Sequence, residues 1–151
     1  MDKTQLGEFI KSFDNDLEIK EGKQYIEVTV PASKLYLLAK QLRDKNEAQF
    51  DFLFCLSGVD YGLDLGVVYH LRSTIFDHVV VLKTRTSDRE HPQFDSVSDI
   101  WKTADFHERE AFDLLGIRFN YHPDLRRLFL DNSWGYPLRK DYVDDINIVS
   151  K

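Results

Sequence analysis

The densest group of side chains able to move protons or bind a metal is Asp105-Phe106-His107-Glu108-Arg109-Glu110, followed by Asp113. At roughly 100° per residue, Ile100, Ala104, Ala111 and Leu115 form one helical stripe with Trp101 beside it. Glu108 falls inside that stripe, whereas Phe106, Arg109 and Asp113 lie on the other side. The pattern predicts a helix from Val97 to Leu115 that points an acid at the core. Ser96 stands where an N-cap belongs and Gly116 where a left-handed C-cap belongs. A buried carboxylate without a partner is costly, so Glu108 requires a cation or several donors. Arg118, Arg126, Arg127, Arg139 and Lys140 supply cations close by in the chain. The alternative is a kink near Asp105 that leaves Glu108 in solvent. If the pair is buried, Glu108→Gln weakens the fold more than Glu110→Gln.

Other chemistry is thin. His107-Glu108-Arg109-Glu110-Ala111 resembles the start of a zincin site, but Ala111 stands where the second histidine is needed, and the motif fails. His70, His78, His91, His107 and His122 show no i,i+3 or i,i+4 ligand spacing. His70, in a strand, reads as a hydrogen-bonded sheet residue, and His122, before Pro123, as a loop anchor. There is no GxGxxG, P-loop or GxSxG. Cys55, the one cysteine, lies in an apolar run and reads as a buried thiol. One thiol excludes an internal disulfide, a four-cysteine zinc site and an iron–sulfur cluster held by this chain. General acid–base work by Glu108 and Glu110 has weak support.

The chain that must position these groups has 151 residues and a net charge of −6. That length suits one domain. An acidic chain without a long Lys/Arg run is a poor binder of nucleic acid or anionic membrane. The longest apolar stretch, Phe52 to Leu56, falls far short of the roughly 20 residues of a membrane-spanning helix. The polar start Met1-Asp2-Lys3-Thr4-Gln5 has no apolar core of a signal peptide.

Lys3 to Phe13 predicts an amphipathic helix, Leu17 to Lys20 and Tyr25 to Val30 a pair of strands, and Pro31 to Leu42 a second helix with Ser33 as a candidate cap. Phe50 to Ser57, Val67 to Thr74 and His78 to Thr86 read as three strands, and Asp88 to Phe94 as a loop. Short strand-to-strand links point to a two-layer α+β fold with a mainly antiparallel sheet, in the order helix-strand-strand-helix-strand-strand-strand-helix. Residues 1–117 form the α+β body. Residues 118–151 form an extended arm of the same domain, aperiodic yet rich in apolar residues. Within it, His122-Pro123-Asp124-Leu125-Arg126-Arg127 and Trp134-Gly135-Tyr136-Pro137-Leu138-Arg139-Lys140-Asp141-Tyr142 interleave aromatic, aliphatic and charged residues. Prolines and arginines in that mixture favour a protein-docking arm over a solvated charge run. The same arm could instead wrap its own sheet.

The runs Ala104 to Glu110, Asp113-Leu114-Leu115-Gly116-Ile117, His122 to Arg127 and Pro137 to Tyr142 closely resemble the signature of the C subunit of respiratory complex I, the proton-pumping NADH:quinone oxidoreductase. The resemblance is specific over Ser96 to Tyr142. It departs at Leu115, where the family usually has an aromatic, at Tyr121, where it usually has glycine, and by one residue fewer between Trp134 and Pro137.

The resemblance implies a hydrophilic-arm subunit with no catalytic residue and no cofactor of its own. Flavin and iron–sulfur clusters would belong to partner subunits. The partners would be the large quinone-site subunit (the D subunit) and other hydrophilic-arm subunits, on the cytoplasmic side of the energy-transducing membrane. Glu108, Arg109, Glu110, Asp113, Gly116, His122, Pro123, Asp124, Arg126, Arg127, Trp134, Pro137, Arg139, Lys140 and Asp141 would be structural and interfacial. The equivalent subunit of a membrane-bound hydrogenase or another relative is the alternative. A free-standing enzyme using His107 and Glu108 is the third reading.

Overall fold

The computed structural model describes residues 3–126 and 135–139. The elements are α1 (Lys3–Lys11), β1 (Glu18–Glu21), β2 (Ile26–Thr29), α2 (Ala32–Asp44), β3 (Phe52–Asp60), β4 (Leu65–Ser73), β5 (His78–Thr86), β6 (Gln93–Asp95), α3 (Ala104–Leu115) and β7 (Arg118–Asn120). The α+β expectation holds, and β5 has the predicted bounds.

The main sheet runs β1-β2-β5-β4-β3. Its β1–β2, β3–β4 and β4–β5 pairs are antiparallel, as short links require, but β2 lies parallel to β5. The sheet is therefore mixed. The meander β3-β4-β5 exposes β5 as an edge, and β2 occupies it while α2 carries the chain across to β3. A second sheet pairs β6 with β7 in parallel, Phe94 opposite Phe119. Two expectations change here: the stretch read as a loop ends in β6, and the segment after Gly116 opens with β7. Three-residue strands are too short to show a period of two.

Ile26, Val28, Leu53, Leu56, Val67, Tyr69, Leu71, Val80 and Leu82 share one buried core with Leu6, Ile10, Leu35, Leu38, Ala104, Ala111 and Leu115 of the helices. Leu53 and Leu56 are three apart, so both face that core only because β3 shifts register between Leu53 and Cys55. Gly58 lets α3 come down on β3, since a Cβ there would meet Leu115 Cδ1 at 2.6 Å. Cys55 is half-buried rather than buried, with Sγ 3.4 Å from Ser57 Oγ. His70 packs its ring on Phe54, and its buried Nδ1 has no hydrogen-bond partner among the described residues, against the sequence reading.

Candidate functional site

The acid-bearing helix starts later than its sequence suggests. α3 begins at Ala104, with Thr103 at its N-cap, and the Thr103 hydroxyl donates to the Leu53 carbonyl at 2.7 Å instead of capping. Residues from Val97 to Thr103 form turns, and the Trp101 indole donates to the Phe50 carbonyl at 2.9 Å. These two bonds fasten the entry of α3 to the start of β3.

Glu108 is fully buried, as the helical stripe predicts, and no kink exposes it. Among the described residues, its partners are not the expected cations. Ser96 Oγ donates to Glu108 Oε1 at 2.6 Å and the Val97 N–H donates to Oε2 at 2.9 Å. Ser96 thus binds the helix from the side rather than capping it. The His122 ring, whose side chain is wholly buried, lies with Nε2 3.9 Å from Glu108 Oε1 and 2.9 Å from Asp105 Oδ1. The Asp124 N–H donates to His122 Nδ1 at 3.0 Å, so a neutral ring carries its proton on Nε2 and donates it to the Asp105 backbone carbonyl at 3.3 Å. Burial pushes the Glu108 carboxyl up to about 7, against the Ser96 and Val97 hydrogen bonds that favour its ionised form, while Asp105 and Asp99 push it further up. Asp105 and Glu108, three residues apart on one helix face, are the local signal that could have found this cluster and that the sequence reading did not use. Ser96 and His122 reach it only through the tertiary fold.

The other end of α3 closes as predicted. Gly116 takes φ +75° and its N–H donates to the Phe112 carbonyl. A Cβ at Gly116 would meet the Tyr136 ring at 2.8 Å. The Leu138 N–H donates to the Leu114 carbonyl at 3.0 Å and Arg139 Nε to the Leu115 carbonyl at 2.6 Å. Residues 135–139 therefore fill two of the acceptors that the last turn leaves open, with a cation at the negative end of the helix dipole.

The remaining signature residues divide by exposure. Asp113, expected on the outer side of α3, is fully buried. Packing from more than one side explains this: α3 is covered by the sheet and by the returning chain, so its apolar stripe does not mark its whole buried surface. Arg109 and Glu110 are half-buried, and Arg109 Nε has no hydrogen-bond partner among the described residues. Pro137 is half-buried. Pro123, Asp124 and Arg126 are exposed, with Arg126 Nε 3.1 Å from Asp124 Oδ2. Arg127, Trp134, Lys140 and Asp141 lie outside the described residues. Among the described residues no group of three or more His, Cys, Asp or Glu side chains could hold a metal ion, and no helix is long and apolar enough to cross a membrane.

Residues 28–145 match the family model described as the respiratory-chain NADH dehydrogenase 30 Kd subunit. The chain belongs to that family. The NADH-quinone oxidoreductase C subunit of Moorella thermoacetica is 42% identical over 130 residues, covering 84% of this chain and 86% of that one. The C subunit of Chlorobium phaeobacteroides is 39% identical over 142 residues, covering 91% and 82%. The C/D subunit of Bacteroides thetaiotaomicron is 52% identical over 130 residues, covering 78% of this chain but only 24% of that protein, so the chain spans less than a quarter of that relative's length. A chain from the structure of the membrane-bound sulfane sulfur reductase, an archaeal respiratory membrane complex, shares the fold: the TM-score is 0.80 at 24% identity, over 95% of this chain and 86% of that one.

In this member of the 30 kDa subunit family, the backbone at Tyr121 favours the glycine that the resemblance expects, and nothing in the structure explains the tyrosine. Tyr121 has φ +66° and is 90% exposed. That left-handed conformation favours glycine, the residue the resemblance expects there.

Proposed function

We propose that this chain is the C subunit of a proton-translocating NADH:quinone oxidoreductase, supporting electron transfer to quinone by docking to the large quinone-site subunit, the D subunit. It works without a catalytic residue or redox group of its own, peripheral on the cytoplasmic side of the energy-transducing membrane, with flavin and iron–sulfur clusters on partner subunits. The observation that carries the reading is the set of relatives named as C/D subunits, in which a region like this chain sits inside a much longer protein. A single cysteine falls short of the four thiolates that an iron–sulfur cluster takes. The alternative parent, a membrane-bound hydrogenase or another relative, rests on likeness of fold alone.

The surface offered to a partner is the exposed Pro123, Asp124 and Arg126, together with the exposed Leu138 side chain. His122 fixes the first three from beneath, and Pro123 lowers the ordering cost of docking. The Arg126–Asp124 pair is solvent-exposed and worth little where it stands, so Arg126 is free to re-pair with a partner's carboxylate. Purification of the tagged chain from its source cells tests the reading. The large quinone-site subunit and other hydrophilic-arm subunits co-purify if it holds. A chain recovered alone, with its own turnover of a small substrate, replaces it with the free-standing enzyme.

A further inference from the structure

Glu108 is fully buried, yet it sits at the end of a hydroxyl chain that leads to the surface. Ser96 Oγ is 2.6 Å from Glu108 Oε1 and 2.8 Å from Ser98 Oγ. Ser98 is half-buried and lines a surface cavity of about 390 Å³ with Asp99, Lys102, Asp105, Tyr121 and Pro123. Ser96 has a single hydroxyl proton, so it donates to one of its two neighbours at a time. With Glu108 ionised, Ser98 donates to Ser96 and Ser96 donates to Glu108. With Glu108 protonated, both bonds reverse: Glu108 donates to Ser96 and Ser96 to Ser98. The Val97 N–H bond to Oε2, 2.9 Å, serves either state. Both protonation states are thus satisfied without moving a heavy atom.

We propose that Glu108 is a reversible proton-binding site of the folded chain, filled from solvent through the Ser98–Ser96 hydroxyl pair and read out at His122. On filling, Ser98 Oγ takes a proton from a solvent hydronium ion, leaving water, and passes its own to Ser96 Oγ, which passes its own to Glu108. One proton enters, one carboxylate is neutralised, and each hydroxyl ends with one proton. Polar groups stand around Glu108 on α3, on β4, on β6 and its following connection, and after β7. Asp105 lies one turn back on α3, and Ser96, Ser98 and Asp99 lie on the connection from β6. Asp95 ends β6, and His122 follows β7. From β4 comes the buried Tyr69, whose phenol burial and the Glu108 and Asp95 charges push well above its ordinary value. No lysine or arginine among the described residues pairs with Glu108, whose bonds there come from the neutral donors Ser96 and Val97. The rise of the Glu108 carboxyl to about 7 places the exchange in the neutral range.

His122 is the reader because its ring Nε2, which hydrogen-bonds the Asp105 backbone carbonyl at 3.3 Å, stands 2.9 Å from Asp105 Oδ1 and 3.9 Å from Glu108 Oε1, so both carboxylate charges act on the ring. When Glu108 is neutralised, the ring keeps its bond to the Asp105 carbonyl and loses one of the two charges beside it. The change passes to the Asp124 N–H through its 3.0 Å bond to His122 Nδ1, where the exposed Pro123–Arg126 stretch begins.

Carbon NMR of the Glu108 carboxyl in the full chain tests this, with the His122 ring and Asp124 amide followed in the same titration. The expected result is a one-proton step near 7 at Glu108, shared by His122 and Asp124. In Glu108→Gln the shared step vanishes from both reporters. In Ser98→Ala the midpoint stays and proton exchange at Glu108 slows several-fold. A Glu108 midpoint at its ordinary 4.5 overturns the proton site, and the wild-type titration decides this even if the glutamine variant does not fold. A step that persists at His122 in Glu108→Gln is the imidazole's own and overturns the read-out. An unchanged exchange rate in Ser98→Ala overturns the hydroxyl path.

Discussion

Two stretches of chain that follow β7 are fastened to α3 at opposite ends and by different chemistry. At the first turns, His122 lies in a buried group with Asp105 and Glu108, and every link there involves a side chain that can gain or lose a proton. At the last turn, Leu138 and Arg139 bind backbone carbonyls through a peptide N–H and a guanidinium, neither of which changes charge at ordinary pH. The first attachment is deep and conditional on pH. The second is shallow and permanent. Burial raises the stakes of a polar contact and also makes it titratable, because a carboxylate removed from water is held by its donors alone.

The largest effect that would sharpen this contrast is the pH dependence of stability. The folded Glu108 carboxyl is raised from 4.5 to about 7, so between those values the folded chain holds more protons than the unfolded one. The stability it contributes is fully present below 4.5 and is lost as pH rises through about 7, a fall of about 3 kcal/mol from this group. Glu108→Gln keeps the donor and acceptor pattern of the protonated acid, so its urea midpoint should lack this fall and exceed that of wild type above the range. This reverses the expectation of a broken ion pair, because the structure supplies neutral donors where the sequence suggested a cation. A glutamine variant with the same falling limb would show that Glu108 does not carry it.

Gly116→Ala comes next. It places a side chain at φ +75° against the Tyr136 ring and should cost about 1–2 kcal/mol at every pH. A pH-dependent cost in urea melts would break the distinction between the two ends. Arg139→Met is the smallest, about 0.5–1 kcal/mol, shrinking in high salt as a helix-end charge should. A salt-independent loss would mean that Arg139 acts by packing on Tyr136, whose ring centroid is 5.3 Å away, rather than by charge.

The legible parts of the fold were those governed by local periodicity. β5, α1 and α2 stand close to their predicted places, and Gly116 closes α3 where a left-handed cap was expected. The burial of Glu108 was legible from helical spacing alone. The burial of Asp113 was not, since the chain packs on α3 from a second side. Ser96 looked like a cap because caps are local, whereas its actual bond joins residues twelve apart. The parallel β2–β5 pair and the β6–β7 pair depend on long-range pairing, which spacing along the chain does not encode.

The most direct test of the proposed function is the affinity of the full chain for the purified large quinone-site subunit, compared with that of Arg126→Glu. Arg126 is exposed and outside the buried cluster, so the variant should keep the wild-type melting midpoint. Docking through this surface predicts that the wild-type chain binds and that Arg126→Glu loses about tenfold or more in affinity. Absence of binding by the wild-type chain would contradict docking to the large quinone-site subunit, and equal affinity of the two would contradict docking through this surface.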